Sequence, residues 1–177
     1  RDVEEVKKEA EELVKKSEES VRRSKEELER TLKRSREESE RVKETAKKLV
    51  EKIERDGIPD RLVKELEDAV RRIAEELDKL DKDHEDKSKK IVDDSKKNLD
   101  ELREFVRRVA DELDKTTDKE TIKRLLDEVR KLVEDSLRHD EELVERNKKS
   151  IKDSLDEIER LLREIEELVR KVEEDER

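Results

Sequence analysis

Val3, Val6, Ala10 and Leu13 recur at steps of three and four residues, and the same rhythm returns at Val42, Ala46, Leu49 and Ile53. That spacing gathers side chains on one face of an α-helix. Between the two apolar stretches the face carries Ser17, Ser24, Ser35 and Ser39. A second stretch behaves alike: Leu66, Ile73, Leu77 and Leu80 lead to His84, Ser88, Ile91, Ser95 and Asn98 or Leu99, and then to Leu102 and Phe105. A third runs from Ile122, Leu125, Val129 and Leu132 through Ser136, Leu143, Asn147, Ser150 and Ser154 to Ile158, Leu161, Ile165 and Leu168. Each predicted helix is apolar towards its ends and polar in its middle.

Two places break the rhythm. In ERDGIPDRL, Gly57 suits the left-handed conformation that ends a helix, and Pro59 suits a first helical turn. In DKTTDKETI, Thr117 with Glu120 three residues on has the form of a capping box. The pattern predicts helices over about 3–55, 59–114 and 118–174, each about 80 Å long at about 1.5 Å per residue. Short connections make neighbours antiparallel. The expected fold class is all-α, an up-down-up antiparallel bundle of three long, nearly straight helices forming a single domain over residues 1–177. Straightness follows from an eighteen-residue period in the first helix, where Val14 maps to Leu32 and Val50; eighteen residues are five turns at 3.6 per turn.

Folding the chain at its two turns sets residue i of the first helix level with about 114 − i on the second and 118 + i on the third. The polar positions then fall into layers. Ser17, Ser20, Ser95, Asn98 and Ser136 make one; Thr31, His84, Ser88, Asn147 and Ser150 a second; Ser35 and Ser154 a weaker third. These residues are the candidate core hydrogen-bond network, because a buried hydroxyl left unpaired costs roughly 1–3 kcal/mol and Ser and Asn supply compact donors and acceptors. The alternative is a middle that is simply hydrated.

Composition narrows the function. Of 177 residues 60% are charged, 28% are hydrophobic, and Cys, Met, Trp and Tyr are absent. Such a chain would be disordered without periodicity, and the periodicity runs end to end. The net charge of −10 comes from 58 acids and 48 bases interspersed along the helices, with no basic stripe, so no nucleic-acid partner is expected. No apolar run reaches a membrane span and no signal-peptide pattern opens the chain, which points to a soluble protein with no targeting signal and no membrane partner. Without Cys there is neither a disulfide nor a thiolate metal site.

Candidate chemistry is thin. Asp81, His84 and Ser88 share a face, but a hydrolytic triad also needs an oxyanion hole and a pocket. Asp81-x-x-His84 has the form of one element of a carboxylate-bridged metal bundle, which requires two, and His139 lies beside the core row as a boundary residue. No catalytic, cofactor or metal site is therefore expected, and no enzymatic activity.

Turn residues placed by rule, Glu/Lys/Arg surfaces and the polar layers of Ser17, Ser95, Asn147 and their neighbours give the chain a pattern that resembles de novo designed helical bundles with buried hydrogen-bond networks. The likeness covers the whole chain and rests on style. Spectrin-like repeats, also three-helix, are disfavoured by the missing tryptophans and the longer helices. The designed family implies recombinant cytoplasmic expression and a structural scaffold that requires no partner. The alternative is a helix–helix interaction module, either the three-helix part of a split four-helix heterodimer awaiting a partner helix or a self-assembling homo-oligomer subunit. Doublets such as Leu125–Leu126, Leu132–Val133, Leu143–Val144, Leu161–Leu162 and Leu168–Val169 widen the third helix's stripe and favour the alternative, whereas the narrow flank of the first helix favours the scaffold.

Overall fold

The computed structural model describes residues 2–175, the side chains of Val172 and Asp175 excepted. Three α-helices form an all-α bundle: α1 (Val3–Arg55), α2 (Asp60–Lys115) and α3 (Lys119–Asp175). Their bounds lie within one residue of those predicted.

Each helix start has a local cause. Asp2 Oδ1 accepts the Glu4 N–H at 3.3 Å. Pro59 places its carbonyl to accept from Leu62 and Val63 at 2.9 and 3.2 Å. At α3 the cap is Asp118 and not Thr117 of the expected capping box. Its Oδ1 accepts the Glu120 N–H at 3.2 Å and its Oδ2 the Thr121 hydroxyl at 2.9 Å, while Thr116 Oγ1 accepts the Asp118 N–H. A carboxylate serves two donors there and also complements the helix dipole, which a threonine hydroxyl cannot match. After α1, Gly57 takes φ +71°, the left-handed region where a Cβ would be strained.

The chain groups into two compact units, one of the described residues up to Glu29 with Ser88–Arg146, the other of Arg30–Lys87 with the described residues from Asn147 onward. Each helix contributes a segment to both. In the first unit Val6, Ala10, Leu113, Val129 and Val133 form the centre of an apolar cluster, with Val14, Phe105 and Leu137 packed on it. In the second, Val42, Ala46, Leu77, Ile158 and Leu162 form one cluster, and Ile53, Ile58 and Val169 close the turn end. Burying each such Leu, Ile or Val side chain contributes about 1.5–3 kcal/mol.

The register between α1 and α2 differs from the expected 114 − i. In the first unit Lys7 pairs with Asp114 and Glu18 with Arg103; in the second Ser39 meets Asp81. Residue i therefore stands level with about 120 − i. The reason lies in the turn: the chain runs outward through Gly57 and the buried Ile58 before it reverses, so α2 begins about 8 Å beyond the last residue of α1. Between α1 and α3, Arg41–Glu159 keeps the expected 118 + i, and Glu9–Arg130 lies three residues from it.

Candidate functional site: polar groups in the helical core

In the first unit the polar residues inside the bundle are Ser17, Ser20, Ser88, Ser95 and Asp140. Ser95 on α2 donates its hydroxyl to Asp140 Oδ1 on α3 at 2.9 Å, both groups being buried. Asp140 is only 2% exposed. Burial pushes its carboxyl above the usual aspartate range, against the Ser95 hydrogen bond and the nearby His139, which both hold it down. The Ser17 hydroxyl is buried with no hydrogen-bond partner among the described residues. Asn98 is exposed and Ser136 half-buried. Both line the α2–α3 groove, away from the packed centre.

In the second unit Ser35, Ser39, His84 and Asn147 are buried. Ser39 on α1 donates to Asp81 Oδ1 on α2 at 2.9 Å. His84 Nδ1 and Ser35 Oγ have no hydrogen-bond partner among the described residues. Burial pushes the His84 imidazole below its ordinary value; Asp81 and Asp83 pull it up and Lys87 pushes it further down. Thr31 and Ser154 are half-buried, and Ser150 is exposed.

Of the twelve residues expected to form the network, Asn98 and Ser150 thus lie at the surface. The α1–α2 offset parts the first expected layer, since Ser17 stands level with about residue 103 and not with Ser95 and Asn98. The Ser39 and Ser95 hydroxyls use Asp81 and Asp140 as acceptors, and neither carboxylate was assigned to the network from sequence. Asp140 had a legible signal: with Val133, Val144, Asn147 and Ile151, all buried, it makes an unbroken row at three-, four- and seven-residue steps. That row lies one residue to the side of the one traced through Leu132 and Leu143. The second members of the doublets, Val133, Val144, Leu162 and Val169, are the buried ones. Leu132, Leu161 and Leu168 are 43%, 39% and 56% exposed.

The chemistry this arrangement offers is hydrogen bonding between helices. Ser39 gives its proton to Asp81, whereas nucleophile activation requires a histidine between hydroxyl and carboxylate. Among the described residues no group of three or more His, Asp or Glu side chains is placed to hold a metal ion. No helix among them is long and apolar enough to cross a membrane. No protein-family model, no curated protein and no solved structure matches the chain.

Proposed function

We propose that the chain is a structural, non-catalytic protein of the designed helical-bundle kind, whose role is to hold long helices in a defined register. The observation that carries this reading is the pair of hydroxyl–carboxylate bonds, Ser39–Asp81 and Ser95–Asp140, each joining two different helices. Leucine packing alone tolerates a slip of a turn or a heptad, because one apolar side chain replaces another. The same slip would set a carboxylate against apolar side chains without its hydroxyl, and an unpaired buried polar group costs roughly 1–3 kcal/mol, more when charged. The polar ties therefore penalise wrong registers more than they stabilise the right one.

A second reading, a module to which a further helix pairs, is favoured by Leu132, Leu161 and Leu168, three large apolar side chains left in solvent on α3. Light scattering over a wide concentration range tests the two. A self-contained scaffold stays monomeric and binds little hydrophobic dye. A concentration-dependent dimer, or strong dye binding by the monomer, sinks the self-contained form and leaves the pairing module.

A further inference from the structure

In the first unit the groove between α2 and α3 is about 550 Å³ in volume and presents its groups in a definite order. The Ser95–Asp140 bond sets α2 and α3 antiparallel there, with residues whose numbers total about 235 at the same height. Phe105, the chain's only phenylalanine, therefore lies near Leu132, which is 43% exposed. Asn98 lies near Ser136 and His139. From the apolar pair to the polar group the step is seven residues on α2, two turns or about 10 Å, and on α3 it is four residues to Ser136 and seven to His139.

The charged residues on the walls are Glu101 and Asp135, and no Lys or Arg lines the groove. Arg138 holds Asp135 from the same helix, while Glu101 has no ion-pair partner among the described residues. A groove with an apolar anchor point, a polar point two turns away and acidic walls matches a helix that repeats those features in complement. Helix-in-groove recognition uses such spacing, with anchors three, four and seven residues apart. A second copy docking by two-fold symmetry would instead bring Glu101 and Asp135 against themselves.

Resting on the pairing reading above, we infer that this groove takes an amphipathic α-helix with leucine and, seven residues away, asparagine or glutamine on its buried face, and with lysine or arginine on its flanks. Leucine would cover Phe105 and Leu132, the amide would hydrogen-bond with Asn98 and Ser136, and the basic flanks would lie along Glu101 and Asp135.

The test uses the full chain and three synthetic helices of about 28 residues, long enough to be partly helical alone. The first has a leucine seam, one central asparagine with leucine seven residues to either side, and Lys/Arg flanks, so that either direction of approach presents the required pair. The second has Glu flanks, and the third replaces the asparagine with leucine. Fluorescence anisotropy is expected to give the first at least about tenfold tighter binding than the second, and weaker binding for the third. Leu132→Asp, with helicity checked by circular dichroism, is expected to weaken binding of the first by at least about tenfold. Because this change makes an acidic protein more acidic, such a loss is not a loss of general attraction.

If no peptide binds, this inference falls, and the pairing reading falls with it only where light scattering also shows a monomer at every concentration. If basic and acidic peptides bind equally and Leu132→Asp weakens both, pairing stands and the basic-partner inference is overturned. If the third peptide binds as tightly as the first, the amide part of the inference is overturned. Binding indifferent to Leu132→Asp overturns the assignment of the groove.

Discussion

Replacing Asp140 with Asn probes the cost of a carboxylate inside the helical core. Asp140 is 2% exposed and accepts from Ser95 at 2.9 Å, which fills one of the roughly four acceptor positions a carboxylate offers. Its carboxyl is raised, burial being the largest cause. In the unfolded chain it titrates near about 3.9. Between that value and the higher folded one, the native state holds more protons, so stability falls as pH rises from about 3.9 through the folded value and the whole penalty persists above it. Asn has the same shape and still accepts the Ser95 proton, without the charge. Asp140→Asn is therefore expected to be more stable than the parent at pH 7.5 by on the order of 1–2 kcal/mol, with the advantage shrinking as the pH is lowered towards about 3.5. With a urea slope of about 2 kcal/mol/M, that is a midpoint shift of about 0.5–1 M. The new amide N–H groups carry a cost of their own if unpaired, but that cost does not change with pH. The decisive quantity is thus the difference between the two pH values. If parent and variant differ by the same amount at pH 7.5 and at pH 3.5, the buried carboxylate is not charged against its surroundings and the reasoning fails.

The other polar positions separate in the same assay. Ser39→Ala removes the donor to the half-buried Asp81 and should lower stability by about 1 kcal/mol; no change would mean that water replaces the hydroxyl fully. Ser17→Ala and Ser35→Ala remove buried hydroxyls without partners among the described residues and should be neutral or stabilising by up to about 1 kcal/mol, so a clear loss of midpoint would expose a hydrogen bond to water or to another group. For His84, held below its ordinary value by burial, the unfolded chain binds the extra proton first, and stability should be lost as pH falls from about 6.5 through the folded value. The urea midpoint of the parent should accordingly drop between pH 7.5 and pH 5 by more than that of His84→Gln; equal drops would show a solvated ring.

The helices themselves were legible in the sequence because their causes are local. Val3 to Leu13 and Ile158 to Leu168 carry a 3.6-residue rhythm that no strand matches, and Gly57 and Pro59 mark the first reversal through backbone preferences that act within a few residues. The burial of Ser17, Ser35, His84, Ser95 and Asn147 was legible for the same reason, since position on a helix face is a local property. What tertiary structure decided was how far each helix slides and rotates against its neighbours. A turn of a few residues sets that slide by its path, and running outward past Ile58 moved α2 by about six residues relative to α1. That offset parted Ser17 from Ser95 and Asn98 and brought Ser39 opposite Asp81. Rotation of α3 chose Val133, Asp140 and Val144 for the inside and left Leu132 outside, although periodicity accommodates both rows equally. Asp140 does fall in a row with Val133, Val144, Asn147 and Ile151, but spacing alone does not choose that row over the one beside it. Asp140 became a core acceptor only because α2 presents Ser95 to it, and a contact between distant parts of a chain has no counterpart in the spacing of either part alone.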